Sequence, residues 1–411
     1  MRFVCDFHIH SKYSRATSGD MDLEHLAQWA KIKGIDLLGT GDFTHPSWSS
    51  ELKEKLEYFE HGLFVRDGVY FMLTAEVSNI YFKAGRTRKI HNLIFAPDFK
   101  TVSEINKALE AFGSLHADGR PILHLDSKEL VSIVSGINPE AFVVPGHIWT
   151  PHFSLFGSNS GFDRLEDCFE GESGKIYALE TGLSSDPAMN WRMSALDRFA
   201  LISNSDSHSP SKIGREANVF SGRFGYKEFI DILRKKDKKK FLFTIEFFPE
   251  EGKYHWDGHR QCQTRLSPEE SKRLNNTCPK CSRKITVGVM HRVESLADRP
   301  EGFDLESAVP FKRMIPLAEI IVDAMDAGVE TVSVQREYNA LISKFGKEFD
   351  ILLDIPEDKL LEGCPSKVAE GIMNTRNGNV EVLPGYDGEY GKIKIFEEKE
   401  REDFNSQKSL F

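Results

Sequence analysis

Residues 2–14 read RFVCDFHIHSKYS, and the step Asp6-Phe7-His8-Ile9-His10 within them directs the reading of the rest of the chain. An apolar run interrupted by Asp6 and preceded by Arg2 reads as a strand, not a signal peptide. Side chains at i and i+2 of a strand share one face, so the two imidazoles point the same way. Two neutral imidazoles so placed suit zinc, manganese or iron.

Outward from that stretch, short apolar runs alternate with helical patterns as far as about residue 225. The runs are IDLLGTGD, VYFMLTAEV, HNLIFAP, RPILHL, FVVPGHI, KIYALET and ALISNSDS. In MDLEHLAQWAKIKG, Leu23, Leu26, Ala27 and Ala30 fall on one helix face, and Gly34 stands at a C-cap position. Such alternation predicts a parallel sheet. Polar residues recur where the runs end: Asp42 or His45 in GTGDFTHP, Glu76, His91, His147 or His152 in VVPGHIWTPH, and Asp206 with His208 in SNSDSHSP. That recurrence favours an α/β barrel, which gathers its active site at the C-terminal strand ends. So many carboxylates and imidazoles buried together would be costly without cations, so a multinuclear metal site is expected.

The 411 residues are 40% hydrophobic and 28% charged, which suits a packed protein of two or three domains. No apolar run approaches twenty residues, so no membrane-spanning helix is expected. All but three of the 14 histidines lie between His8 and His208, which places the metal chemistry in the first half. The net charge of −10 argues against a uniformly DNA-attracting surface. Metal-site carboxylates and the acidic tail from Glu397 to Asp403 supply part of that excess, and a local basic groove is compatible with it.

Further along, His259-x2-Cys262 is followed after fifteen residues by Cys278-x2-Cys281, the two-knuckle spacing of a structural zinc site. His255 and His291 compete with His259 for the fourth ligand position. Clustered thiols of this kind predict a reducing, cytoplasmic setting. The last part, with PFKRMIPLAEIIVDAMDAG and YNALISKFG, reads as amphipathic helices, and NVEVLPGYDGEYGKIKIF as a short β-like end. The predicted organisation is a catalytic barrel over residues 1–250, a zinc-binding domain over 251–300 and a mainly helical region over 301–411.

The series H-x-H, Asp/His, Glu, His, His and D-x-H over residues 1–225 resembles the polymerase-and-histidinol-phosphatase (PHP) family. The resemblance implies a distorted seven-stranded β/α barrel with two or three divalent ions that cleaves phosphoesters. It places His8, His10, Glu76 and Asp206 around one ion and makes Glu76 the bridge to a second held by His91 and His147. His208, with Asp42, would serve a third position or orient water, so Glu76, Asp206 and His208 are the implied catalytic residues. Zn²⁺, Mg²⁺ and Mn²⁺ all remain open. Two departures bear on the third position: T-G-D-F-T-H replaces the usual T-D-H, and Ser14 and Arg15 stand where a further histidine is common.

The motifs DFHIHSKYS, GTGDFTHP, ETGLSSDPAMNWR, SDSHSP, GKYHWDGHRQC, CPKC with HRVESLADRP, and PGYDGEYG, in that order, resemble the endonuclease Q family along nearly the whole chain. The resemblance implies cleavage of DNA on the 5′ side of uracil, hypoxanthine, xanthine or an abasic site. DNA containing deaminated bases is the implied partner; a replication or repair clamp is left open. Candidate DNA contacts are Lys83, Arg86, Arg88 and Lys89 in KAGRTRK, and Ser158, Asn159 and Ser160 in SLFGSNSGF, where Phe156 or Phe162 could stack on a base. Tyr386 and Tyr390 are rival stacking residues. Arg192 either clamps a phosphate or makes a helix-surface salt bridge.

Overall fold

The computed structural model describes residues 2–329 and 331–396; the acidic tail lies outside the described residues. Strand Arg2–Asp6 pairs in parallel with Leu37–Gly39, which pairs in parallel with Val69–Lys83. The connection between the first two is helix Leu23–Lys33, started by the Asp22 side chain, which accepts from the His25 N–H, and ended at Gly34 with φ +89°. Its buried face is Leu23, Leu26, Ala27, Ala30 and the stem of Lys33. This stretch follows the sequence pattern residue for residue.

The next connection departs from it. Instead of separate parallel strands, VYFMLTAEV and HNLIFAP belong to one long antiparallel hairpin, Val69–Lys83 with Arg86–Ala96. Residues 84–85 close it with φ +51° at Ala84 and +78° at Gly85, the positive pair that a tight two-residue turn needs. KAGRTRK is therefore the hairpin tip and the strand arms beside it. Phe142–Pro145 pairs antiparallel with Arg86–Ala96, and Ala178–Glu180 pairs in parallel with Ala200–Ile202. Phe7 N donates to Asn204 Oδ1 (2.9 Å) and Ile9 bridges Ser207 in parallel, which closes a distorted seven-stranded barrel.

Beneath the strand ends the barrel is plugged with aromatic residues. Phe7 packs on Phe229 (4.7 Å between ring centroids), and Phe95 stacks on Phe142 (4.6 Å). Helix Tyr226–Lys235 seals this floor with Tyr226, Phe229, Ile230, Ile232 and Leu233. Polar groups above it thus stand on a rigid apolar base. On the far side of Arg2–Asp6 the sheet continues through Ala217–Ser221 and Phe241–Glu246 to Phe311–Arg313. That last strand lies within PFKRMIPL, read above as helical; its pairing with Thr244–Glu246 overrides the pattern.

Residues 257–266 form a small hairpin, followed by helix Pro268–Arg273 with a Ser267/Glu270 capping box, over a minor core of Leu266, Cys278 and Ile285. The C-terminal region is mainly helical: Leu317–Met325, Val332–Phe345, Glu348–Leu353, Glu357–Leu361 and Ser366–Asn377, then the strand pair Glu381–Leu383 and Lys392–Lys394. No helix of the described residues is long and apolar enough to cross a membrane.

Candidate metal centres and active site

His8 and His10 lie just beyond the regular strand Arg2–Asp6, on its irregular extension, with ring centroids 5.3 Å apart. Together with Glu76 and Asp206 they form one set of donors, buried except for the part-exposed Asp206; Glu76, His91 and His147 form a second, fully buried set. Glu76 belongs to both. Its Oε1 lies 2.6 Å from His91 Nδ1 and 3.1 Å from His147 Nε2, and its Oε2 lies 3.3 Å from His10 Nε2. Asp206 Oδ1 lies 3.0 Å from His10 Nε2.

Each imidazole is fixed from behind. His8 Nδ1 donates to Glu180 Oε1 (3.0 Å), and His10 Nδ1 to Asp42 Oδ1 (3.1 Å). His91 Nε2 meets Ser78 Oγ (2.7 Å), and His147 Nδ1 meets Thr150 Oγ1 (3.0 Å). Such outer partners set the tautomer and leave the inner nitrogen's lone pair for a cation. Asp42 thus reaches the site through His10; its other contacts are Ser11 N (2.6 Å) and the hydroxyls of Ser11 and Ser14, and it stands in neither donor set. Both of its carboxylate oxygens accept hydrogen bonds within the protein. His45 stacks on Tyr13 (4.5 Å), away from both sets. His152 is exposed and meets Asn159, leaving His147 as the inward histidine.

The backbone is strained where the donors converge. Asp42, His147 and Asp206 have φ of +48°, +26° and +47°, in the left-handed region that non-glycine residues avoid. Gly182 permits the bend at His147, because a Cβ there would stand 2.3 Å from the His147 Cβ. His208 packs 4.5 Å from the His10 ring and donates through Nδ1 to Asp206 O (2.9 Å), outside both donor sets.

The electrostatics describe a site that lacks positive charge. Burial alone would lower His8, yet Glu180, Glu76 and Asp206 raise its pKa well above the ordinary imidazole value. Burial pushes Asp206 up, but His8 and His10 hold it far below the carboxylate range. His91, where burial dominates, falls to about 4. His8 Nε2 is buried with no hydrogen-bond partner, and His91 Nδ1 faces His147 Nε2 at 3.1 Å. Two imidazole nitrogens converging on one carboxylate oxygen, and an orphaned third, are a donor arrangement that fits divalent cations.

A third set unites His259, Cys262, Cys278 and Cys281, with His259 Nδ1 3.5 Å from Cys281 Sγ. Burial would raise the Cys278 thiol, but the N–H groups of Lys280 and Cys281 outweigh it and bring the pKa down to about 6, which favours the thiolate. The rival His291 is engaged by Asp257 (2.7 Å), and His255 is buried elsewhere near Asp186.

Several sequence candidates for DNA contact are turned inward. Arg88 is buried, lies over the Phe162 ring (3.9 Å) and donates to Gly161 O, which Arg86 also reaches (2.7 Å). Lys83 pairs with Asp126 (3.1 Å) and Glu170 (2.7 Å), and Lys89 lies over Phe153 (5.3 Å). Arg86, Arg88 and Lys89 thus brace the loop at 153–162, Arg88 from a buried position. Phe156 and Phe162 are buried and unavailable for stacking. In the loop Ser158 and Asn159 are exposed, while Ser160 is buried and donates to Lys89 O. Of the two readings of Arg192, the structure shows the salt bridge: it is buried against Glu294. Tyr386 and the exposed Tyr390 line a groove of about 510 Å³ with Arg260, Gln263, Arg265 and Lys392.

Three residues at the centre escaped sequence reasoning. Glu180 ends an apolar run and carried the same signal as Glu76. Phe153, at 4.8 Å from the His91 ring, and Arg120, at 3.1 Å from Glu76 Oε2, carried none.

Residues 316–379 match the MJ0043 C-terminal domain family. The uncharacterized protein MJ0043 of Methanocaldococcus jannaschii is 35% identical over 256 residues, 61% of this chain but 32% of that longer protein. The chain thus aligns with about a third of that relative. The uncharacterized protein YqxK of Bacillus subtilis is 29% identical over 90% of this chain and 91% of its own. Among solved structures, the lesion-specific endonuclease PfuEndoQ from Pyrococcus furiosus superposes with TM-score 0.87 at 32% identity, covering 99% of both chains. An endonuclease Q complex with a 27-mer duplex bearing an abasic lesion at the active site superposes with TM-score 0.85 at 32% identity, over 97% of this chain and 98% of that one. Identity at this level over the full length of both chains shows that the protein belongs to the endonuclease Q family.

Proposed function

We propose that this chain is a metal-dependent DNA-repair endonuclease that cuts the phosphodiester 5′ of uracil, hypoxanthine, xanthine or an abasic site. The observation that carries the reading is Glu76 shared between two donor sets, in a chain aligned end to end with a lesion-specific endonuclease. His8, His10, Glu76 and Asp206 would hold one divalent ion; Glu76, His91 and His147 a second; His259, Cys262, Cys278 and Cys281 a structural Zn²⁺. Divalent cations in the barrel would supply Lewis-acid chemistry: activation of water near neutral pH and neutralisation of charge on the phosphoryl oxygens.

The chain's own residues do the positioning. Glu180 and Asp42 hold His8 and His10 as Nδ1–H tautomers with their Nε2 atoms turned inward. The buried Phe7, Phe95 and Phe229 floor closes the barrel to water from below. His208, part-buried beside His10, is the group we assign to orienting the attacking water. The zinc module presents Arg260 and Arg265 toward Tyr386 and Tyr390, a basic and aromatic groove that suits a nucleic-acid strand.

The test is incubation of the protein with end-labelled duplexes, with or without one deoxyuridine, in Mg²⁺, Mn²⁺ or Zn²⁺. Lesion-dependent nicking on the 5′ side, abolished by His8→Ala and by Asp206→Ala, is expected. Release of phosphate from small monoesters with DNA left intact would overturn the reading in favour of a phosphatase.

A further inference from the structure

Arg120 opens the run RPILHL but belongs to none of the ligand-bearing motifs, and three of those hold it in place. Gly119 N donates to Tyr13 O (3.0 Å), just after the H-x-H stretch. Thr44 Oγ1, two residues after Asp42, donates to Gly119 O (3.2 Å). Ser78 N, two residues after Glu76, donates to Pro121 O (2.9 Å). Gly119 fits so closely that a Cβ would stand 2.3 Å from both Asp42 Oδ2 and Ser14 Oγ. The backbone on either side of Arg120 is therefore fastened to the segments that carry His10, Asp42 and Glu76.

From this fixed base the side chain reaches over the rim of the site. Nη1 donates to Glu76 Oε2 at 3.1 Å, the oxygen that His8 and His10 also approach at 3.5 and 3.3 Å. The side chain keeps 27% of its surface exposed, whereas Glu76 has none. One Nη of the guanidinium thus rests on the carboxylate common to both donor sets, while the side chain keeps part of its surface open to solvent. No other hydrogen bond of its five N–H groups is made among the described residues. Divalent cations would repel a guanidinium held beside them. An anion lying across both would hold it there, and a phosphodiester offers two non-bridging oxygens at the spacing of the guanidinium fork.

We propose that Arg120 binds the scissile phosphate, holding a non-bridging oxygen over the centre that Glu76 bridges. The inference rests on the endonuclease reading above and adds a protein group that touches the reacting phosphodiester.

The experiment uses the full chain with Arg120→Ala, Arg120→Lys and Arg120→Gln, checked for thermal unfolding like that of the wild type. In EDTA, anisotropy with an abasic duplex reads the arginine–phosphate contact without metal; Arg120→Ala should weaken binding roughly tenfold. With metal restored, single-turnover cleavage should fall about 10²–10³-fold. Millimolar guanidinium should recover part of the rate in Arg120→Ala, and lysine should substitute poorly. Metal stoichiometry, read by calorimetry, should stay that of the wild type. Unchanged metal-free affinity, or loss of rate that tracks loss of bound metal, would overturn the proposal and leave Arg120 as a structural partner of Glu76. If wild-type protein left the lesion duplex uncut, the endonuclease reading would fail, while the metal-free binding comparison would still decide the arginine's contact.

Discussion

Glu180 Oε1 stands 3.0 Å from His8 Nδ1, and its Oε2 accepts from the backbone N–H of His147 at 2.7 Å. One carboxylate thus orients a donor from each side of the barrel without belonging to either donor set. Glu180→Gln should keep the shape of the side chain but offer an N–H where His8 and His147 need acceptors. Loss of such an outer partner typically costs 10–100-fold in metal affinity. Calorimetric titration should show that loss, and raising the metal concentration should restore much of the cleavage. A variant with wild-type metal affinity would contradict the role given to Glu180.

At the proposed zinc site, Cys278→Ser combined with Cys281→Ser should remove one tightly held zinc. Cys278 is fully buried within a minor core of few side chains, so a metal held there would contribute directly to the folding of this module. Thermal stability and DNA affinity should fall together. Zinc content measured by atomic absorption decides the matter; an unchanged value rejects the ligand set.

Ser158 and Asn159 are the exposed residues of the 153–162 loop, with Asn159 meeting the equally exposed His152, and are placed to meet a base edge. Deamination gives uracil and hypoxanthine the same carbonyl acceptor and N–H donor, which polar side chains can read and which an unaltered base mismatches. Ser158→Ala with Asn159→Ala should therefore lower cleavage at uracil and hypoxanthine while sparing an abasic site. Equal losses on all three substrates would show that the loop positions the backbone instead. Ser160 is left out of the pair because its hydroxyl is already spent on Lys89 O.

Between barrel and C-terminal helices, Lys33 Nζ meets Glu348 Oε2 at 2.8 Å, and Tyr338 donates to the same oxygen. All three residues are buried. Lys33→Ala would strand the Glu348 charge in that interface, a change that costs about 3–5 kcal/mol. Urea unfolding should show the loss, and Lys33→Met with Glu348→Leu should recover most of it. A single variant as stable as the wild type would mean that water reaches the pair.

What could be read from the sequence was whatever local spacing encodes. H-x-H and the paired knuckles place their donors within a few residues of each other, and the structure gathers those donors into sets; of D-x-H it gathers Asp206 and leaves His208 beside the set. Helix Leu23–Lys33 was legible for the same reason: its periodicity and cap lie in one stretch. Arg120 was not, because what aims it is a set of backbone hydrogen bonds to three distant segments. Asp42 shows the limit of spacing, which marks a polar residue at a strand end without telling whether it faces a cation or a histidine; the structure sets it beside His10. The hairpin Val69–Lys83/Arg86–Ala96 was hidden by its composition: the basic tip reads as a solvated loop, yet Arg88 is buried under its own hydrogen bonds.

The pairing of Phe311–Arg313 with Phe241–Glu246 has a practical side. The barrel sheet ends on a strand delivered by chain that has already passed through the His/Cys module. A fragment stopped at residue 250 would retain every barrel donor and still be unsuitable for solution work. Its outermost strand, Phe241–Glu246, would present a row of unsatisfied N–H and C=O groups beside Phe243 and Ile245, a template for pairing with another copy. Such a fragment should self-associate edge to edge, and inactivity on its part would report clumping, not missing chemistry.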